Sequence, residues 1–269
     1  MLPQSSNSSK APFTDTEIQA LIKGVRQAGA ALMHYWPGKQ GSSDLGAVEW
    51  KGDGSPVSAA DLQSNQILCG LLKELYPNDA ILSEELPVEP AVLKASSRVW
   101  IVDPLDGTSA FLQGRDDFSI LLSLWSDGQP ALGVMFFPAR DRMVIAQKGQ
   151  GAFLNGTRMS VSDSFECNPG GAYIRNFECS KPQLASPMMD SGLALMKVAY
   201  GDLQGAVIKM TTHREWDLAA PIVAILEAGG QVSDELGGTV LCGTGEILFS
   251  YFVASNRYCH KTLLGLIPR

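Results

Sequence analysis

The acidic residues are where chemistry can first be read. In Trp100-Ile101-Val102-Asp103-Pro104-Leu105-Asp106-Gly107-Thr108, an apolar strand runs straight into two carboxylates separated by two residues. Asp103 falls at the expected C-terminal end of that strand, where sites of α/β proteins commonly lie. Pro104 fixes the turn and aims Asp106 back at the same point. Such a pair can bracket one or two hard cations, with the Leu105 carbonyl as a further oxygen ligand. Asp106 also stands where it can N-cap a short helix through Phe111, which would turn the N–H groups of Gly107 and Thr108 towards an anion. Two other segments add carboxylates. Ile81-Leu82-Ser83-Glu84-Glu85 is a short strand ending in an acidic pair, and in Arg214-Glu215-Trp216-Asp217-Leu218-Ala219-Ala220-Pro221 Asp217 opens an apolar helix. Taken singly, each has a plainer reading. Asp106 and Asp217 can be helix caps, Glu84-Glu85 a solvated loop, and Asp61 the capping-box partner of Ser58.

Charge gives the set a direction. The formal net charge of −7 excludes a nucleic-acid surface or an anionic membrane as the main partner. An acidic protein can still act on a phosphate ester, provided cations stand between carboxylate and phosphate. Clustered carboxylates make sense only around such a cation, since like charges this close raise one another's pKa. No Cys or Ser nucleophile motif is present, which favours direct attack by water.

These residues need elements to hold them. Thr14-Asp15-Thr16-Glu17 fits a capping box, and Ile18, Leu21, Ile22, Val25, Gly29 and Leu32 share one face of the helix that follows. A turn-rich stretch, Lys51 to Pro56, leads to a second helix capped by Ser58 and burying Leu62, Ile67, Leu68, Leu71, Leu72 and Leu75. Strands are expected at Ala80 to Leu82 and at Val99 to Val102. A meander follows at Phe118 to Trp125, Ala131 to Phe137 and Met143 to Gln147. Beyond Ser162 strands and helices alternate. Strands at Ala172 to Ile174 and Ala206 to Ile208 flank a helix near Leu193 to Tyr200. A helix from Asp217 to Ala228 buries Leu218, Ile222, Ile225 and Leu226, and Gly229-Gly230 stops it. A strand at Phe249 to Ala254 and a helix at Arg257 to Leu266 complete the chain.

The combination of Asp103-Pro104-Leu105-Asp106-Gly107-Thr108, Ser83-Glu84-Glu85 and Trp216-Asp217-Leu218-Ala219-Ala220 resembles the inositol monophosphatase superfamily, in order and spacing, from about Lys51 to Asn256. The resemblance implies an α+β fold, a layered α-β-α-β-α sandwich in two subdomains. Residues 1–13 would form a polar tail, 14–162 an N-terminal α+β subdomain with most metal ligands, and 163–269 a C-terminal α/β subdomain supplying Asp217 and substrate contacts. It implies a phosphoric monoester hydrolase using two or three Mg²⁺ ions. Glu84, Asp103 and the Leu105 carbonyl would hold the first ion, and Asp103, Asp106 and Asp217 the second. Asp61 would orient waters of a weaker third ion. Thr108 would pair with Glu84 to position the attacking water, while Asp106, Gly107, Thr108 and Asp217 contact the substrate. Sensitivity to lithium is implied too, and a homodimer is common among such relatives.

Within the superfamily, Lys51 to Asp61 and Glu215 to Pro221 look closest to the bacterial 3′(2′),5′-bisphosphate nucleotidase branch. That makes the 3′-phosphate of adenosine 3′,5′-bisphosphate the expected substrate, with inositol monophosphate or another sugar phosphate as the alternative. The second half departs from the nucleotidase pattern. Met188-Met189-Asp190-Ser191-Gly192 lacks the Gly-Ser pair that grips substrate, and Lys197 falls out of place. A non-catalytic metal or nucleotide sensor is disfavoured, because a binding module needs no water-activating pair. Asp190 reads as a helix N-cap and His213 as a surface or substrate-contacting residue. Five scattered cysteines without a C-x-x-C pair, and no apolar run near the start, suggest reduced thiols in a cytoplasmic protein.

Overall fold

The computed structural model describes residues 13–38, 48–50 and 56–268. The expected polar tail up to residue 12 and the turn at Lys51 to Ser55 lie outside the described residues.

Helix α1 (Asp15–Tyr35) begins as its sequence predicts. The Thr14 hydroxyl accepts from the Glu17 N–H, and the Glu17 carboxylate accepts from the Thr14 N–H. Strands β1 (Val48–Trp50) and β2 (Pro56–Ser58) pair antiparallel and lead into α2 (Ala59–Leu75), where Ser58 and Asp61 form the same reciprocal box. Asp61, Ser64, Asn65, Leu68 and Leu72 take the inward face of α2. Leu62, expected among them, is 51% exposed. One residue past Asp61 is a 100° step around the helix, which carries it off the buried face.

Next come β3 (Ala80–Ser83), α3 (Pro90–Ala95), β4 (Arg98–Asp106), α4 (Thr108–Leu112), β5 (Ser119–Ser126), β6 (Gln129–Phe137), β7 (Arg142–Gln147), β8 (Gly151–Leu154) and β9 (Thr157–Arg158). Seven strands form one sheet in sequence order, β3 parallel to β4 and every other pair antiparallel. Contrary to expectation, β4 does not stop at Asp103. It runs on to Asp106 through an irregularity: Asp103 lies opposite Leu121 and Asp106 opposite Ser119, three residues against two. The surplus residue is a β-bulge, the place a strand tolerates Pro104.

The second half comprises β10 (Ala172–Arg175), α5 (Ser191–Tyr200), β11 (Gly205–Lys209), α6 (Glu215–Glu227), β12 (Gln231–Ser233), β13 (Tyr251–Ser255) and α7 (His260–Leu264). Its four strands lie in the order β10-β11-β13-β12, with β10 and β11 parallel. Strand β12 is too short and polar at its start to stand out in the sequence, and α7 is shorter than expected. Leu226 is 38% exposed rather than buried.

Burial fixes the layers. One face of the large sheet, with Trp100, Leu122 and Val134, packs against Leu21, Val25, Leu68 and Leu72 of α1 and α2. Its other face, with Leu121, Met135 and Val144, shares a core with α5, α6 and the inner residues Tyr173, Ala206 and Ile208 of the small sheet. The outer face of the small sheet, with Val207 and Val253, packs against Leu263 of α7. This is the α-β-α-β-α sandwich the sequence led us to expect. Among the described residues no helix is long and apolar enough to cross a membrane.

Helix α6 sits so close to β6 that a Cβ on Gly133 would lie 2.7 Å from the Ala220 carbonyl oxygen and 3.0 Å from the Val223 Cβ. Gly133→Ala is therefore expected to destabilise the fold by roughly 1–3 kcal/mol, as overpacking does. Because α6 carries Asp217, the variant should also bind divalent metal more weakly. Urea unfolding with and without Mg²⁺ measures both effects.

Candidate active site

The bulge in β4 does the first part of the assembly. Strand residues three apart face opposite sides of a sheet, but one surplus residue restores the parity and lets Asp103 and Asp106 point the same way. The Leu105 N–H donates to Asp103 Oδ1 at 3.0 Å, and the Ser119 hydroxyl to Asp106 Oδ2 at 2.9 Å. Below the turn, the Ser64 hydroxyl donates to the Pro104 carbonyl at 2.8 Å, pinning the bulge to α2. Helix α6 then delivers Asp217. One carboxylate oxygen from each of Asp103, Asp106 and Asp217 lies within 4.8 Å of the others.

Asp217 does not open its helix as expected. Helix α6 starts at Glu215 with Arg214 as N-cap, and the Asp217 carboxylate accepts the Arg214 N–H from the third helical position. Nor does Asp106 cap α4. That role falls to Gly107, at φ 83° in the left-handed region. A side chain there would be strained and would also meet Asp190, whose Cγ lies 2.9 Å from where a Cβ would be.

The remaining expected residues surround this group. Glu84 follows β3, its N–H donating to the Val102 carbonyl at 3.2 Å, so the turn is stitched to β4 beside Asp103. Its charge bears on both Asp103 and Asp217. Thr108 Oγ1 lies 3.4 Å from Asp61 Oδ1 and 3.1 Å from the Leu105 carbonyl oxygen, which keeps a second lone pair. Asp61 is buried and also accepts from the Ser58 N–H at 2.8 Å. Asp190 caps α5, accepting the Gly192 N–H at 3.1 Å. His213 is not on the surface. It is 8% exposed, with Nε2 3.2 Å from the Ser191 hydroxyl. Lys197 lies in the last turn of α5, paired with Asp202 at 3.3 Å.

Several supporting residues escaped the sequence reading. Asn65 accepts from the Ser83 hydroxyl at 2.7 Å, tying α2 to the end of β3. Asp117, clasped by Arg115 at 2.6 Å, accepts the Asp190 N–H at 2.9 Å. A signal for the first group existed: Asp61, Ser64, Asn65 and Leu68 share a helical face, so polar residues interrupt an apolar stripe. Asp117 and Arg115 carry no comparable local mark.

Electrostatics fits this donor set to a hard divalent cation such as Mg²⁺. Burial, then Glu84, Asp106 and Asp217, hold the Asp103 pKa well above the usual carboxylate range. Burial, then Asp190 and Asp217, do the same to Asp106. Burial pushes Asp217 up to about 7, against the Arg214 N–H and with help from Glu84 and Asp190. Asp61 rises to about 6, again chiefly through burial, which outweighs its bonds to Ser58. Converging oxygen ligands short of positive charge are what a hard cation requires.

The sequence of residues 14–267 matches the model of the inositol monophosphatase family. The chain belongs to the inositol monophosphatase family. It is 31% identical over 239 residues to the fructose-1,6-bisphosphatase/inositol-1-monophosphatase of Thermotoga maritima, covering 85% of this chain and 89% of that one. The solved structure of a Thermotoga maritima IMPase superposes with a TM-score of 0.80 at 26% identity, covering 93% of this chain and 96% of the other. The 3′(2′),5′-bisphosphate nucleotidase CysQ of Escherichia coli is 36% identical, but over 126 residues, which is 47% of this chain and 50% of that one. This family member is thus a metal-dependent phosphoric monoester hydrolase.

The raised carboxylates have a signed consequence. Without metal, Asp217 holds its proton up to about pH 7 in the folded state, whereas an unfolded Asp loses it near pH 4. The folded protein therefore binds more protons between these values, and metal-free stability falls as pH rises through that window. Metal must displace those protons. Mg²⁺ affinity is expected to rise from pH 6 to pH 8 with release of protons, as calorimetry in buffers of different ionisation enthalpy would record. A flat affinity across this range would contradict the assignment.

Proposed function

We propose that this protein hydrolyses a phosphate monoester of a sugar or polyol, with Glu84, Asp103, the Leu105 carbonyl, Asp106 and Asp217 holding Mg²⁺. The convergence of Asp103, Asp106 and Asp217 on one point carries the reading. Bound Mg²⁺ would supply Lewis-acid polarisation of the phosphate and stabilise charge on the leaving oxygen. The chain's own residues do the rest. The Gly107 and Thr108 N–H groups, at the start of α4, receive a phosphate oxygen. Thr108 Oγ1 accepts a proton of the attacking water while donating its own to Asp61 Oδ1, 3.4 Å away. Glu84 orients the same water from the end of β3.

The sugar or polyol reading is supported by likeness running nearly end to end with the Thermotoga maritima fructose-1,6-bisphosphatase/inositol-1-monophosphatase. The adenosine 3′,5′-bisphosphate reading, first suggested by Lys51 to Asp61 and Glu215 to Pro221, rests on a likeness to CysQ that spans half of each chain. It is the second choice. A phosphate-release panel with inositol 1-phosphate, fructose 1,6-bisphosphate, adenosine 3′,5′-bisphosphate and histidinol phosphate decides between them. The nucleotide releasing phosphate fastest would reverse the order proposed.

Asp103→Asn and Asp217→Asn should each lower kcat by at least about 100-fold, since loss even of groups that only orient metal ligands costs 10–100-fold. Circular dichroism should report an intact fold, and near wild-type turnover in either variant would refute the metal assignment. Millimolar lithium is expected to slow the reaction in competition with a weakly held Mg²⁺, which rate measurements at several Mg²⁺ concentrations would reveal.

A further inference from the structure

The aspartate that α6 delivers has a buried acidic neighbour. Glu215 is the first residue of α6, in the same turn as Asp217, and is 2% exposed. A loop from late in the chain closes on its carboxylate. Oε2 accepts the Gly243 N–H at 2.8 Å and the Gly245 N–H at 3.2 Å, and Oε1 accepts the Thr244 hydroxyl at 2.7 Å. The Thr244 N–H is shared between the two oxygens, at 3.3 and 3.2 Å. No lysine or arginine meets Glu215 at ion-pair distance among the described residues. Successive N–H groups converging on one anion form a nest. Gly243 and Gly245 allow it, at φ 90° and 83° in the left-handed region on either side of Thr244.

Stabilising the helix end does not require this arrangement. A glutamate in a first turn complements the helix dipole from the surface, without the cost of burial. What the burial provides is a link. The loop is fixed on its other side to the large sheet: Val240 and Cys242 sit in the central core, and a Cβ on Gly243 would lie 3.4 Å from the Val99 Cβ. A Cβ on Gly245 would lie 3.0 Å from Leu93 Cδ1. Val99 belongs to β4, the strand that ends in Asp103 and Asp106. Gly245 and Trp216 also line one cavity with Glu84. Glu215 therefore ties the turn holding Asp217, through the loop, to the strand holding the other two aspartates. At the far end of α6 a second glutamate makes a similar clasp. Glu227 accepts the Gly149 and Gly151 N–H groups of the turn between β7 and β8, each at 2.9 Å.

We propose that Glu215 is a positioning residue for the metal site: its clasp on Gly243, Thr244 and Gly245 sets the place of Asp217 against the carboxylates of β4. This rests on the metal assignment above. Calorimetric titration of the full-length, metal-free protein with Mg²⁺ tests it, in wild type, Glu215→Gln, Thr244→Val and Glu227→Gln, with circular dichroism to show that each is folded. Glu215→Gln sets an amide N–H₂ against N–H donors and should raise the Mg²⁺ Kd about tenfold or more, the scale of loss for groups that orient metal ligands. Thr244→Val removes one donor and keeps the N–H groups, so it should raise Kd roughly threefold, the scale of one hydrogen bond. It also carries the test if Glu215→Gln does not fold. Glu227→Gln breaks a comparable clasp away from Asp217 and should leave Kd unchanged. A role confined to stability would lower the unfolding midpoint of Glu215→Gln without moving the Kd of the folded protein. An unchanged Kd in Glu215→Gln, or in Thr244→Val where the first does not fold, overturns the positioning role, as does an equal rise in Glu227→Gln. If wild type itself takes up no Mg²⁺, the metal assignment fails, and the role of the clasp fails with it.

Discussion

Repulsion among buried carboxylates is the constraint on which the rest of the site depends. Asp103 and Asp106 are almost inaccessible, and Asp190 and Asp217 add to the field on Asp106. Carboxylates in low dielectric cannot all be ionised unless something positive lies among them. No lysine or arginine meets Asp103 or Asp106 at ion-pair distance among the described residues. Ser119, the Leu105 N–H and the Arg214 N–H hold these side chains in place without neutralising them. Rigid placement with charge left uncompensated favours a divalent cation over any arrangement of the protein alone.

Geometry follows from that demand. The three converging aspartates come from two elements, a strand and a helix on opposite sides of the chain's midpoint. The strand contributes two of them only because its bulge changes which face Asp106 occupies. Helix α6 contributes the third by lying flat against β6, an approach that a side chain at Gly133 would prevent. The packing of the central helical layer and the position of Asp217 are therefore one problem. A shift of α6 away from the sheet is also a shift of Asp217 away from Asp103.

The layered fold was legible because each layer leaves a local mark. Thr14 and Ser58 announce their helices through reciprocal hydrogen bonds three residues long, and both boxes form. Asp103, Asp106 and Asp217 were legible as a set, since three acidic motifs in a fixed order are far rarer than any one of them. The bulge was not legible. Pro104 signals a turn as readily as an irregular strand, and only the pairing with β5 tells which. Helix phase misled for Leu62 and Leu226, apolar residues just off the buried face. The burial of His213 was hidden for another reason. It depends on Ser191, 22 residues away, meeting it across the start of another helix.

Substrate choice is harder to read than metal binding for a physical reason. Metal ligands must satisfy one charge and one narrow range of distances, so the residue types that serve are few. A leaving alcohol can be held by many combinations of side chains, so no single residue pattern announces it. Position 190 illustrates this. An aspartate there caps α5 as well as a serine would, yet it brings another negative charge against Asp106 and within the field of Arg175. Helix capping alone does not require that cost. Asp190 therefore belongs with the buried carboxylates around Asp106 and adds to their demand for positive charge.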